Sequence, residues 1–293
     1  MKKYALLFLV ACITACNHSS NQTGILQAKI DSLENAGCCR NSEYLMQAVL
    51  WFQRSPEVRA LYLQGYHIAK DALDANLRHP AGKKQKAVVV DIDETILDNS
   101  PYEGWLISKD STFSSGSWNN WINDVAAAPL PGALDFLNYA KKKGCHIFYV
   151  SNRNKTGQFS ATLKDLVSNK FPDADSFHLL LKTSADTASS RQFASKEQRR
   201  LTISRELNYE IVLLCGDQLA DFDKAFNLFA GANENAIKDS VNKYSAMLGK
   251  KFIVMPNPMY GDWLSLITYS SKQTGTCAHL DSLRLNQIKK WRE

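Results

Sequence analysis

Lys86-Ala87-Val88-Val89-Val90-Asp91-Ile92-Asp93-Glu94-Thr95 is a β-branched run that stops abruptly in three carboxylates. A continuous apolar run of this kind, bounded by Lys and Asp, is the signature of a strand buried on both faces of a parallel sheet. Open α/β sheets bind their ligands at the carboxyl ends of the strands, which is where Asp91 and Asp93 fall. Residues two apart on a strand point the same way, so these carboxyl groups converge on one small volume and repel. A divalent cation, protonation of one partner, or both relieve that repulsion. A nucleophile and a general acid can be arranged in this way. The plainer reading is a strand followed by a helix, with Asp93 or Thr95 as its N-cap, and the rest of the chain has to decide between them.

Working outward, the pattern becomes strand–helix–strand. Ala87–Val90, His146–Val150, His178–Leu181, Ile211–Cys215 and Phe252–Met255 are apolar strand candidates separated by helical stretches. Such alternation predicts an α/β fold with a doubly wound, mainly parallel sheet. Ahead of it, residues 25–35 and 41–79 read as helical, with Asn41 or Ser42 as a cap, and His79-Pro80-Ala81-Gly82 ends that region. The expected division is a polar tether and short helix over 17–40, a helical extension over 41–82, the sheet-containing core over 83–275 and a C-terminal helix over 276–293. Between the first two strands, at about residues 98–130, lies a small insert rich in aromatics: Tyr102, Trp105, Phe113, Trp118 and Trp121. An aromatic cluster serves as core or as binding surface, and both readings stand for this one.

Composition excludes some classes. Lys and Arg total 35 against 29 Asp and Glu, a mild excess of +6, and no basic run interleaved with aromatics marks a groove for a nucleic acid polymer. The first sixteen residues read as an export signal: Lys2 and Lys3, then an apolar stretch from Tyr4 to Ala15 that is too short to span a bilayer. Ile13-Thr14-Ala15-Cys16 resembles the lipobox of bacterial lipoproteins, which implies that Cys16 is acylated and that the mature protein is anchored to a membrane of the cell envelope. Cys12 is a second site, preceded by an apolar stretch of only about eight residues. Asn17 does not resemble an inner-membrane retention signal, so the outer membrane is expected. With Cys12 removed and Cys16 lipidated, Cys38, Cys39, Cys145, Cys215 and Cys277 remain. Their odd number argues against a simple disulfide framework. Cys145 and Cys215 fit buried strands, and a bridge from Cys38 or Cys39 to Cys277 stays open.

Other segments carry matching chemistry. Ser151-Asn152-Arg153 follows the second strand and offers a hydroxyl and an amide to a phosphoryl oxygen. Gly216-Asp217-Gln218-Leu219-Ala220-Asp221-Phe222 follows the fourth and adds a third carboxylate, with Gly216 permitting a tight turn. In Ser195-Lys196-Glu197-Gln198-Arg199-Arg200 a lysine opens a helix, and Lys182, directly after the third strand, competes for the same role. Read singly, each has a plainer account as a cap, a turn or a solvated side chain.

Taken in order, these motifs resemble those of the haloacid dehalogenase superfamily. Asp91-Ile92-Asp93-Glu94-Thr95-Ile96-Leu97-Asp98-Asn99-Ser100-Pro101-Tyr102 and Met255-Pro256-Asn257-Pro258-Met259-Tyr260-Gly261-Asp262-Trp263 narrow the resemblance to class C acid phosphatases, which include bacterial lipoprotein 5′-nucleotidases. The resemblance spans about residues 40–292. It implies that Asp91 is the nucleophile and Asp93 the general acid and base, with Ser151 and Lys196 holding the phosphate. It also implies one Mg²⁺ per subunit on Asp91, Asp217 and the main-chain carbonyl of Asp93, with Asn152, Asp221 and Thr95 in support. Lys196 is preferred over Lys182 because the family's lysine precedes an Arg-Arg-like segment, and Gln218 departs from the Asn common there. Phe113 and Tyr260 occupy positions suited to stacking on a nucleoside base. The expected substrate is a nucleoside 5′-monophosphate, nicotinamide mononucleotide included, cleaved fastest below neutral pH. A broad acid phosphatase and a non-enzymatic haem-binding lipoprotein are the competing readings, and a homodimer stays open.

Overall fold

The computed structural model describes residues 40–78, 82–184, 186, 196–228, 233–268 and 277–291. The proposed leader, the lipidation site Cys16, the helix at 25–35 and Cys38 and Cys39 lie outside the described residues. Among those described, no helix is long and apolar enough to cross a membrane.

After a 3₁₀ turn at Glu43–Leu45, the chain forms α1 (Met46–Arg54) and α2 (Pro56–Arg78). The expected continuous helix over 41–79 is therefore broken, and Pro56 is the cause. A proline disfavours the helical region for the residue before it, and Ser55 adopts ψ 128°. Pro56 then serves as the first residue of α2, where its missing N–H costs nothing. Ser42 precedes the turn but does not cap it with its side chain. Its hydroxyl instead donates to the Leu106 carbonyl at 3.1 Å, tying the extension to the insert.

Five strands, β1 (Lys86–Val90), β4 (His146–Asn154), β5 (Leu179–Lys182), β6 (Glu210–Gly216) and β7 (Phe252–Val254), form a parallel sheet in the order β5-β4-β1-β6-β7. The central strand β1 pairs with β4 on one side and β6 on the other. Its alternation is what makes the fold three-layered. Val88 and Val90 join a core shared with α1, α2, α5 (Ala133–Lys142) and α6 (Lys155–Ser168), whereas Ala87 and Val89 pack with Phe148, Phe222, Phe226 and Phe252 on the opposite face. Burying each such side chain contributes about 1.5–3 kcal/mol.

The insert consists of β2 (Leu97–Asp98), α3 (Ser100–Ser108), α4 (Ser115–Asp124) and β3 (Ala128–Pro129), the two short strands pairing antiparallel. Later in the chain come α7 (Glu197–Leu201), α8 (Glu234–Lys243), α9 (Asp262–Thr268) and α10 (Cys277–Gln287). The last helix is shorter than the expected 276–293. Ile288 and Trp291 are 59 % and 84 % exposed, so little packing among the described residues supports a further turn. Cys145 and Cys215 are buried free thiols, and Cys277 is disulfide-bonded.

One buried acid makes stability depend on pH. Glu103 on α3 is only 6 % exposed, and burial pushes its carboxyl up to about 7. The folded state therefore holds a proton that the unfolded chain releases above its ordinary value of 4.5. This term is absent at low pH, grows as pH rises towards 7, and then stays as a constant destabilisation of about 3 kcal/mol. Glu103→Gln removes the titration. Its stability relative to the parent should be more favourable by about 2 kcal/mol at pH 8 than at pH 5, measured by denaturant titration at both. A pH-independent difference would overturn the assignment.

Candidate active site

The chain leaves β1 through a tight loop rather than a helix, which rules out the cap reading of Asp93 or Thr95. Glu94 takes φ 53°, its N–H donates to the Leu97 carbonyl, and the N–H groups of Ile96 and Leu97 both reach the Ile92 carbonyl. Two tyrosines one turn apart on α2 hold this loop from behind. Tyr66 donates to the Thr95 carbonyl at 2.7 Å, and Tyr62 reaches the carbonyls of Glu94 and Pro256. Read as helical spacing alone, both look like ordinary core residues, and only their hydroxyl partners reveal this positioning role.

Asp91 and Asp93 line a cavity of about 580 Å³ at the carboxyl edge of the sheet, together with Asn152, Lys196, Asp217, Asp221, Phe113 and Tyr260. Lys196, the residue immediately before α7, places its ammonium 2.5 Å from Asp91 Oδ1 and 2.6 Å from Asp221 Oδ1. Burial pulls this ammonium towards neutrality, but Asp221 and Asp91 outweigh it and hold its pKa above the ordinary lysine value. Lys182 ends β5 and lines the same cavity, yet it has no ion pair with Asp91 or Asp221 among the described residues. The arginines after Lys196 explain how so short a helix is fixed. Arg199 donates to the Ser151 carbonyl and to Asn152 Oδ1, and Arg200 to the Asp221 and Ala220 carbonyls. One helical turn is thereby clamped to the ends of both β4 and β6.

Asp93 is held by Arg153, a residue that sequence reasoning left without a role. The buried guanidinium presents Nη2 and Nε to Asp93 Oδ1 at 2.7 and 3.0 Å, with Nε also 3.3 Å from Oδ2. The Ser151 hydroxyl donates to Asp93 Oδ2 at 3.3 Å, and the Asn99 amide to Oδ1 at 2.9 Å. Trp121 in turn donates to Asn99 Oδ1, coupling the insert to this carboxylate. No local signal marks an arginine after Ser-Asn as buried. Its position two residues along β4 from Ser151 is the only hint.

The third carboxylate, Asp217, follows Gly216, where an added Cβ would lie 2.3 Å from Asp221 Oδ2. Only glycine lets Asp221 sit there, with one carboxylate oxygen on Lys196 and the other accepting the Gln218 N–H. Gln218, where the resemblance leads one to expect Asn, donates to Asp217 Oδ2 at 2.6 Å and accepts from the Asp262 N–H at 3.0 Å. Asn257 also donates to Asp217 Oδ2. Burial and the neighbouring Asp221 charge raise Asp217 to about 6, against the pull of those hydrogen bonds. Burial raises Asp91 well above the ordinary carboxylate range despite Lys196.

Carboxylate oxygens of Asp91, Asp217 and Asp221 lie within 4.8 Å of one another. Asp217 Oδ1 is buried without a hydrogen-bond partner among the described residues. An orphaned oxygen in an all-oxygen donor set fits a hard divalent cation. Thr95 does not line the cavity. It is wholly buried, and its hydroxyl makes no hydrogen bond among the described residues.

Phe113 is 62 % exposed on the cavity rim, in edge contact with Tyr102 and tilted against Trp118. Tyr260 stands half-buried in the cavity wall. The insert thus contributes both core, through Tyr102, and cavity wall, through Phe113 and Trp118.

A parallel sheet with this aspartate and lysine cluster at its carboxyl edge defines a haloacid dehalogenase-type fold. The family model of HAD superfamily subfamily IIIB, acid phosphatase, matches residues 14–263. The chain belongs to that family. Its structure superposes on the class C acid phosphatase of Bacillus anthracis with a TM-score of 0.77 and 36 % identity, covering 86 % of this chain and all of the other. The tungstate-bound structure of that enzyme gives a TM-score of 0.76 with the same identity and coverage. Among curated proteins it is 26 % identical to acid phosphatase 1 of Solanum lycopersicum, over 45 % of this chain and 50 % of that one. It is also 29 % identical to the stem 28 kDa glycoprotein of Glycine max, over 54 % and 58 % respectively. The chain therefore spans about half the length of the curated relatives it matches.

Proposed function

We propose that this protein hydrolyses phosphomonoesters, nucleoside 5′-monophosphates in particular, through an aspartyl-phosphate. The observation that carries the reading is the division of labour between two carboxylates facing one cavity. Asp91 is held by an ammonium and Asp93 by a guanidinium fork, with an aromatic rim above. The tungstate bound by the Bacillus anthracis neighbour supports an oxyanion as the species received.

Asp91 attacks phosphorus while the bond to the leaving oxygen breaks, and Asp93 gives that oxygen its proton. Asp93, now a carboxylate, takes a proton from a water whose oxygen attacks the same phosphorus. This frees inorganic phosphate and restores Asp91. Lys196 steadies the nucleophile and offsets the phosphate's charge, and the Asn152 amide on the cavity wall binds a phosphoryl oxygen, whereas the expected phosphate contact of Ser151 gives way to a positioning one, because Ser151 is buried off that wall with its hydroxyl donating to Asp93 Oδ2. One Mg²⁺ on the Asp91 and Asp217 carboxylates and the Asp93 carbonyl would supply further charge neutralisation when bound.

The substrate preference rests on Phe113 and Tyr260 flanking the cavity. Phosphate release from AMP and from a small aryl phosphate, with Mg²⁺ or EDTA, tests both levels. Metal-dependent release from both substrates is expected, with higher kcat/KM for AMP. The double variant Phe113→Ala, Tyr260→Ala should lose that preference by about 10–100-fold, since base–aromatic stacking is worth about 1–3 kcal/mol per base. Unchanged discrimination would leave a broad acid phosphatase, the reading that the high exposure of Phe113 favours.

A further inference from the structure

His146, His178 and Asp173 form a second cluster with ligand geometry, at the opposite end of the sheet from the phosphate cavity. His146 begins β4 and His178 immediately precedes β5, whereas Ser151 lies five residues further along β4. At about 3.3 Å per residue the two ends are about 16 Å apart. His146 Nδ1 and His178 Nε2 are 3.2 Å from each other, and with an Asp173 oxygen they lie within 4.8 Å of one another. Two nitrogens each about 2.05 Å from one tetrahedral ion would be about 3.3 Å apart.

The surroundings are those of a built site. Both oxygens of Asp175 contact His178 Nδ1, at 2.9 and 3.0 Å. That contact fixes the tautomer, so that Nδ1 donates to the carboxylate and the Nε2 lone pair faces His146. Ligating histidines are oriented by a second carboxylate in this same way. Asp173 is held in turn, its Oδ2 accepting the Ile147 N–H at 3.0 Å. Phe148 and Tyr209 pack around the two imidazole rings, and His178 is only 7 % exposed. Lys141 sits 2.6 Å from Asp173 Oδ1 and is, among the described residues, the cation that competes for the carboxylate. Its side chain is 43 % exposed, so it can swing into solvent at little cost.

We infer that His146, His178 and Asp173 bind a borderline divalent cation of the zinc type, joining the start of β4 to the turn before β5. Two imidazole nitrogens select such an ion over Mg²⁺ or Ca²⁺, which prefer oxygen. The site therefore differs in chemistry, as well as in place, from the all-aspartate cluster. A fourth position is open to water.

The test uses the full chain, stripped of metal, saturated with Mg²⁺ to fill the carboxylate site, and titrated with Co²⁺ as an optical stand-in for Zn²⁺. One equivalent of Co²⁺ with a strong tetrahedral visible band is expected, displaced by Zn²⁺ and accompanied by a rise in Tm. His146→Gln and His178→Gln should each lose the band, while Mg²⁺-supported phosphate release is unchanged. A band that survives in both folded variants would overturn the inference. If a variant fails to fold, the parent decides alone: no tetrahedral band at saturating Co²⁺ would mean that the imidazoles are only hydrogen-bonded to each other.

Discussion

Asp91→Asn should lower turnover of every phosphomonoester by about 10⁴-fold or more, because an amide cannot form the covalent intermediate and residues that act as a unit share their effect. The fold should survive. Burial already pushes the Asp91 carboxyl well above its ordinary range, so replacing it with a neutral isostere removes a strained charge and leaves Lys196 paired with Asp221. Thermal denaturation with the parent as control separates lost chemistry from lost folding. Asp93→Asn should behave differently. It removes the proton donor, which matters in proportion to how poor the leaving group is. The loss should be far larger for AMP, which leaves as an alkoxide, than for an activated aryl phosphate. Equal losses on both substrates would sink the general-acid assignment of Asp93. Undiminished turnover in Asp91→Asn would sink the nucleophile assignment.

The strands were legible because β-branched runs bounded by charge have few other readings. The carboxyl-edge position of Asp91, Asp93 and Asp217 followed directly from them. The strand order was not legible, since local pattern does not say which strands pair, and the preference for Lys196 over Lys182 came from the family resemblance and not from local pattern. Lys182 directly follows the apolar run Leu179-Leu180-Leu181, whereas no such run precedes Lys196. It is the grip of Arg199 and Arg200 on the ends of β4 and β6, a long-range matter, that delivers Lys196 to Asp91. Arg153 was hidden for a related reason. Arginine is ordinarily solvated, and nothing nearby in sequence shows that its partner sits sixty residues earlier, on the loop after β1. The broken helix at Ser55–Pro56 is the reverse case. The proline was in plain view and its local rule overrode the helical periodicity on either side. His146 and His178 looked like strand-edge residues, and only the parallel pairing of β4 with β5 brings them together.

Lys196→Met is the substitution with the largest expected effect on the fold itself. It leaves Asp91 and Asp221, 7 % and 6 % exposed, facing each other without their shared cation. Removing one partner of a buried ion pair costs about 3–5 kcal/mol, since the remaining charge keeps its desolvation penalty. For a chain of this size that corresponds to a fall in Tm of about 5–8 °C. The deficit should depend on pH in a set direction. Lys196 acts against the burial that raises the Asp91 pKa, so without it Asp91 binds its proton more tightly in the folded state. Proton uptake by the folded variant relieves the repulsion, and the stability gap should narrow as pH falls towards the ordinary carboxylate range and be widest near neutrality. Turnover at neutral pH should fall by about 10²–10³-fold, the usual cost of removing one preorganised charge from a developing anion. Thermal melts of parent and variant at several pH values read the first effect, and kcat at the temperature where both are folded reads the second. A constant gap across pH would mean that Lys196 contributes packing rather than charge. Normal turnover would transfer its role to Lys182, which lines the same cavity.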